Sequence, residues 1–296
     1  MDQARLSASL ILLRPRACGS YEVLLMQRKQ GMVFSEAHVF PGGKWETSDS
    51  LEVWEPLFGL TRPETLSSTP LTAEIELNSL KITAIRETFE ESGIYIGSGS
   101  LGPPVSGDFY QLCREKRALP DLGRLRYFVR MITPQNTLRR FDTVFFIAAV
   151  PQGTEFTLTE ESQSAQWLSP AELLDRAAEL QLLPPQCLAT LLLAHYPLFS
   201  DLMQANPLPT TVFPLMSAII HPENPKCVVI VAYGDEEYPV SAFLPEIKGK
   251  RLRIWMEPNG IHFEISPGLV PYMDRAQYRL VRDFNKRLQI VPKTRL

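Results

Sequence analysis

Arg86-Glu-Thr-Phe-Glu-Glu-Ser-Gly93 combines, in one short stretch, a helical spacing with a charge pattern that a helix alone does not favour. Glu87, Glu90 and Glu91 fall at i, i+3 and i+4, which on a helix brings three carboxylates to one face. Ile82, Ile85 and Phe89 recur at helical spacing on the other side, and Gly93 stands where a left-handed C-terminal cap is expected, so the pattern predicts a helix over Glu74 to Ser92. An acidic cluster of this kind is ordinarily the solvated face of an amphipathic helix. Here the three anions repel one another, and two of them sit in the last turn, where the helix dipole disfavours each by about 0.3–1 kcal/mol. A local conflict of this sort marks function more often than fold. A hard divalent cation with oxygen ligands turns the repulsion into binding, and Mg²⁺ needs few carboxylates when phosphates supply the remaining ligands.

Upstream lies Phe40-Pro-Gly-Gly43. Adjacent glycines let backbone approach a ligand or metal closely, although Pro-Gly-Gly is more often a plain turn that stops regular structure. Gly43 is followed after five residues by Asp49, and a gap of 36 residues separates Asp49 from Arg86. Together these residues resemble the Nudix box, in which a glycine, five residues, a glutamate and a short spacer precede Arg-Glu-U-x-Glu-Glu-x-Gly-U, with U a bulky aliphatic residue. Arg86, Glu87, Glu90, Glu91, Gly93 and Ile94 fill the second half; Asp49 replaces the first glutamate, Thr88 takes a U position, and the spacer is expanded. Leu24-Leu-Met-Gln-Arg28, Ala37-His-Val-Phe-Pro-Gly-Gly43, Arg139-Arg-Phe-Asp-Thr-Val-Phe-Phe146 and Leu183-Pro-Pro-Gln186 are similar to the branch of that superfamily that includes the peroxisomal coenzyme A diphosphatases. Between Arg28 and Gly42 the only cation is Lys29, where that branch carries a second arginine.

The resemblance, which runs through about residues 8 to 190, implies an α/β fold of Nudix type, a mixed sheet sandwiched between helices. It implies that Glu87, Glu90 and Glu91 bind Mg²⁺ or Mn²⁺, that a Gly42 or Gly43 carbonyl joins them, and that Arg86 orients the carboxylates. Glu91, Glu161 and Arg86 are the catalytic candidates; Glu161, six residues before Trp167, is either the general base or an ordinary loop acid. Arg28, Gly42, Gly43, Arg139 and Arg140 are the candidates for substrate contact, with a solvated strand edge as the alternative for the two adjacent arginines. The implied reaction is hydrolysis of a nucleotide diphosphate, coenzyme A or acyl-coenzyme A first, giving phosphopantetheine and adenosine 3′,5′-bisphosphate. The alternatives are another substrate, such as a nucleotide sugar or dinucleotide, or a Nudix-fold binding protein without catalysis.

The rest of the chain is consistent with a folded protein acting on a small molecule. Its 296 residues can bury a sizeable core, and 45% hydrophobic with 21% charged residues is near the globular norm. Thirty basic against 33 acidic residues give no field to attract long nucleic acid. His38, His195, His221 and His262 are scattered, which disfavours a histidine metal site, and His38 reads best as a packed strand residue. Cys18, Cys113, Cys187 and Cys227 have no ligand spacing and fit a reducing compartment. No run reaches membrane-spanning length. Thr294-Arg-Leu296 is close to a peroxisomal address or an accidental end, so a peroxisomal or cytoplasmic location is expected.

Leu10 to Leu13, Val23 to Gln27, Leu125 to Ile132 and Thr143 to Val150 are expected strands, and Ser169-Pro-Ala-Glu172 carries a capping box that opens a helix. A further helix is expected after Pro184-Pro185. From Asp49 to about Thr72, prolines and a Ser/Thr cluster predict a mobile surface insertion, placed at about 50–72. A boundary near 205 divides a Nudix domain, 1–204, from a strand-bearing C-terminal extension, 205–296, expected to pack on it, with a hairpin around Pro258-Asn-Gly260.

Overall fold

The computed structural model describes residues 4–28, 37–59, 73–104, 107–133, 139–159, 162–177 and 179–205, together with seven strand segments between 212 and 292. In chain order the elements are β1 (Arg5–Pro15), β2 (Tyr21–Arg28), β3 (His38–Val39), β4 (Gly42–Lys44), α1 (Leu51–Phe58), α2 (Ala73–Ser92), β5 (Gly97–Ser98), α3 (Phe109–Lys116), β6 (Leu119–Pro120), β7 (Arg126–Ile132), β8 (Phe141–Ala149), β9 (Ser162–Leu168), α4 (Pro170–Asp175), α5 (Pro184–Ala194) and α6 (Phe199–Gln204). The strands β10 (Val212–Phe213), β11 (Met216–His221), β12 (Asn224–Ala232), β13 (Leu252–Glu257), β14 (Gly260–Ile265), β15 (Gln277–Arg282) and β16 (Leu288–Pro292) complete the chain.

Eight strands form one mixed sheet in the order β10-β7-β8-β1-β2-β3, with β4 paired to β1 and β9 to β2. β1 lies parallel to β8 along its length and antiparallel to β2 at its end. Its side chains alternate between two cores, as a strand buried on both faces must. Ala8, Leu10 and Leu12 join Ile82, Ile85 and Phe89 of α2, whereas Ile11 and Leu13 join Leu173, Leu188 and Leu192 of α4 and α5. The expected sandwich of a mixed sheet between helices is therefore present. The sheet draws β10 from beyond residue 205. The six strands β11 to β16 form a separate antiparallel sheet whose register aligns Ile220, Val228, Met256, Ile261, Leu280 and Ile290 in one apolar row.

The local signals that set the helices act as chemistry requires. Gly93 takes φ 72° and its N–H closes on the Phe89 carbonyl at 2.8 Å, ending α2 in the left-handed conformation that only glycine enters without penalty. At α4 the Ser169 hydroxyl accepts from Glu172 N–H, and the Glu172 carboxylate accepts from Ser169 N–H at 2.7 Å. His38 is the packed strand residue that its sequence context suggests: it is buried, its Nδ1 donates to the Leu180 carbonyl at 2.9 Å, and burial lowers its pKa.

Two expectations are corrected. Pro41-Gly-Gly43 does no more than interrupt regular structure briefly: β3 ends at Val39, but Gly42, Gly43 and Lys44 then pair antiparallel with Ser9, Ala8 and Ser7 of β1. Nor is the start of the insertion a loop. Leu51–Phe58 is a helix despite Pro56, because tertiary contacts outweigh propensity. Ser79 Oγ of α2 accepts the Leu51 N–H at 2.9 Å, supplying a partner that the first turn lacks. Trp54 is fully buried, with its ring against Phe109, Tyr110 and Phe58, and its Nε1 donates to the Ser48 carbonyl at 2.8 Å. The remainder of the expected insertion, from residue 60 to 72, lies outside the described residues. Truncating this ring leaves a large cavity, so Trp54→Ala is expected to lower unfolding free energy by about 3–5 kcal/mol. Denaturant titration checks this, and a loss under about 1 kcal/mol means that α1 is a dispensable surface element.

Candidate active site

Helix α2 carries Glu87, Glu90 and Glu91 at the end that faces β4. Gly42 N–H donates to Glu91 Oε2 at 3.0 Å. The Glu87 carboxylate lies directly on the backbone of Gly43, so close that a Cβ there would overlap it. Gly42 is confined as well: with φ 156°, a Cβ would overlap the Ala8 carbonyl and Ser9 of β1. The two glycines thus let a backbone strand and a carboxylate-bearing helix meet without intervening side chains.

Behind the acids sits Arg86, buried and saturated. Nε and one terminal nitrogen form a bidentate fork on Asp49, to Oδ1 and Oδ2, both at 2.8 Å. The other terminal nitrogen donates to Glu87 Oε1 and Glu90 Oε2, each at 3.0 Å, and the fifth N–H goes to the Lys44 carbonyl at 3.0 Å. All five guanidinium donors are matched, so Arg86 is placed to orient the carboxylates and has no donor left for a substrate. Burial opposes its charge, but the Asp49 hydrogen bonds and the charges of Glu87, Asp49 and Glu90 outweigh it and raise the pKa.

Asp49 is buried beside this arginine and also accepts from Thr83 Oγ1 at 2.9 Å and from Glu46 N–H at 3.1 Å. The two halves of the split box therefore meet in space. Burial pushes the Glu87 carboxyl up to about 7, with Arg86 pulling it down and the Glu90 charge pushing it further up. A dication would relieve that cost.

Among the described residues, no three His, Cys, Asp or Glu side chains already stand in metal-ligating geometry. Their present partners account for this: Glu87 and Glu90 lie on Arg86, and Glu91 lies on the Gly42 amide. The donor set nonetheless suits a hard divalent cation. Oxygen ligands are concentrated on one helix end, one carboxyl is costly to ionise in place, and glycine backbone lies within touching distance of another ligand.

Of the other candidates, Arg140 lies at the entry to β8, where its Nε donates to the Thr133 carbonyl at 3.2 Å, and the adjacent Arg139 is exposed. Arg28 ends β2; its side chain and Lys29 lie outside the described residues, as does Glu161. On either side of Glu161, the Thr159 and Ser162 hydroxyls donate to the Glu91 carbonyl at 3.4 and 3.2 Å. Ser79 and Thr83 are participants that the box pattern does not include. Their signal is a polar spacing of i, i+4 and i+7 with Arg86.

No family model matches the chain. An acyl-coenzyme A diphosphatase of Xenopus laevis is 31% identical over 237 residues, covering 62% of this chain and 62% of that protein. One of Gallus gallus is 30% identical over 244 residues, covering 62% and 63% respectively. The chain thus spans a little under two thirds of the length of these curated relatives. A Nudix hydrolase of Alicyclobacillus acidocaldarius, solved by crystallography, superposes with TM-score 0.54 at 26% identity, over 69% of this chain and 97% of that one.

Gly43→Ala is expected to displace the Glu87 carboxylate, since the overlap is with a side chain held by Arg86 and not with a free rotamer. Mn²⁺ affinity should fall about tenfold or more, on the basis that about 1.4 kcal/mol is a factor of ten. Calorimetric Mn²⁺ titration of the folded variant measures it; unchanged affinity would show that the contact with Gly43 is incidental.

Proposed function

We propose that this chain, which has the Nudix hydrolase fold, is a divalent-metal-dependent diphosphohydrolase that cleaves the diphosphate bridge of a nucleotide-linked small molecule. The observation that carries the reading is the placement of Glu87, Glu90 and Glu91 at one helix end against the Gly42-Gly43 backbone, with a saturated Arg86 behind them. A surface acidic face needs neither glycine backbone pressed against it nor a buried arginine organising it.

In this reading Glu87, Glu90 and Glu91 hold Mg²⁺ or Mn²⁺, with a Gly42 or Gly43 carbonyl beside them. A cation held there would supply charge neutralisation of the diphosphate and activation of water toward phosphorus. The chain's own contribution is to hold the carboxylates in register and to accept the proton that the water loses. Glu161 is the candidate base, on its spacing of six residues before Trp167. Arg86 acts through the carboxylates and not on the substrate.

The substrate that fits best is coenzyme A or an acyl derivative, cleaved to phosphopantetheine, or its acyl form, and adenosine 3′,5′-bisphosphate. Support comes from the segments around Arg28, Gly43, Arg139 and Leu183 and from the similarity to acyl-coenzyme A diphosphatases. Arg28, Lys29, Arg139 and Arg140 are the cations available for phosphate oxygens. A nucleotide sugar or dinucleotide is the alternative substrate. No helix among the described residues is long and apolar enough to cross a membrane. The location is read as peroxisomal or cytoplasmic, and residues 205–296 are read as an extension packed on the catalytic domain.

Glu91→Gln removes charge from the metal-holding set and should lower turnover on the order of a hundredfold while the protein stays folded. Near-normal turnover in the folded variant removes the central claim. On substrate, a site built for the 3′-phosphate should favour coenzyme A over dephospho-coenzyme A by about tenfold or more in kcat/KM, the effect of one charge-assisted pair. Equal efficiency on the two, with faster cleavage of another nucleotide diphosphate, redirects the assignment to that compound. Silence across a panel of diphosphates with Mg²⁺ and Mn²⁺ indicates a binding role.

A further inference from the structure

We propose that Thr83 and Trp54 are positioning residues for the metal-holding carboxylates, locking Asp49 against Arg86 so that Arg86 in turn sets Glu87 and Glu90; this rests on the metal-dependent reading above. Aspartate is one methylene shorter than the glutamate of the Nudix box that Asp49 replaces, so its backbone must be brought closer to Arg86 and held there. Two contacts do this. From α2, Thr83 Oγ1 donates to Asp49 Oδ2 at 2.9 Å; the Ser79 carbonyl, at 3.2 Å, is the rival acceptor for the single hydroxyl proton, and the charged oxygen is the stronger one. From α1, Trp54 Nε1 donates to the carbonyl of Ser48, the residue before Asp49, while its ring is wedged between Phe109 and Tyr110. The Leu51 N–H on Ser79 Oγ ties the same segment to α2 from the other side.

The consequence is that the ordered start of the insertion is part of the active-site frame. Thr83 and Asp49 are both buried, so no solvent can replace the hydroxyl if it is lost. Asp49 Oδ2 would then keep Arg86 and the Glu46 amide but lose one of its two ties to α2, the one that Arg86 does not itself supply. The fork on Arg86 would loosen at that oxygen, and Glu87 and Glu90 would inherit the disorder through the shared guanidinium.

The test compares the full-length wild type with Thr83→Val, Thr83→Ser and Trp54→Phe by calorimetric Mn²⁺ titration, thermal melting without metal, and kinetics on a diphosphate substrate at saturating metal. Thr83→Val should bind Mn²⁺ about tenfold more weakly, as for loss of one hydrogen bond to a charged group, and Thr83→Ser should restore it. A fall in kcat with KM little changed is expected, since no substrate contact is removed. Wild-type Mn²⁺ affinity in a folded Thr83→Val overturns the proposal. If Thr83→Val fails to fold, Trp54→Phe decides, because it keeps a ring in the pocket and removes only the donor to Ser48: weaker Mn²⁺ binding supports the proposal and unchanged binding overturns it. A wild type that binds Mn²⁺ yet cleaves no diphosphate sinks the enzymatic reading alone, whereas a wild type that binds no Mn²⁺ sinks this proposal as well.

Discussion

A buried guanidinium must find a partner for each of its five N–H groups, and the way Arg86 does so fixes most of the geometry around it. Its donors go to Asp49, to the Lys44 carbonyl and to two glutamates of its own helix. The first two draw the chain between β4 and α1 onto α2; the last two hold the acids back from solvent. Removing one partner would leave a guanidinium N–H unmatched in a buried place, a cost of about 1–3 kcal/mol. The glycines are subordinate to this arrangement: Gly43 yields room for a carboxylate whose position Arg86 has already set.

The same cluster concentrates negative charge. Four carboxylates, those of Asp49, Glu87, Glu90 and Glu91, gather around the Arg86 guanidinium and the Gly42 amide. Burial leaves the Glu87 carboxyl reluctant to ionise, and further positive charge beside it would reverse that. A surface salt-bridge network would instead be solvated and worth little. Here the acids are kept together at a cost in stability, which a divalent cation bound among them would recover.

How much of this the sequence discloses depends on which interactions act locally. The reach of α2, its Gly93 cap, the capping box at Ser169 and the strands of the main sheet follow from spacing and side-chain chemistry within a few residues. The role of α1 does not. Pro56 and the prolines after it argue against a helix, and the forces that override them come from Ser79, Phe109 and Tyr110, all more than twenty residues away. In the same way Gly42–Lys44 reads as a turn until β1 offers it a partner strand. The spacing of Ser79, Thr83 and Arg86 is visible in the sequence, but a polar stripe on a helix has many explanations until the aspartate that it grips is known.

The wide gap between Asp49 and Arg86 is then less disruptive than its length suggests. Loop-closure cost rises only with the logarithm of length, so each doubling of a spacer costs about 0.6 kcal/mol, less than one good charge-assisted hydrogen bond. The expansion threatens the precision of the aspartate's approach more than the energy of closure, since a longer tether specifies its end points less well. A short spacer would supply that precision from chain geometry alone. In this chain the segment is anchored instead by the 3₁₀ turn at Thr47–Asp49, by Trp54 in its aromatic pocket and by two hydroxyls of α2. Once residues 47 to 58 are fixed in this way, the length of the chain beyond them no longer bears on the position of Asp49, and the spacer is free to vary past Gly59 without disturbing the acids that it was expected to separate.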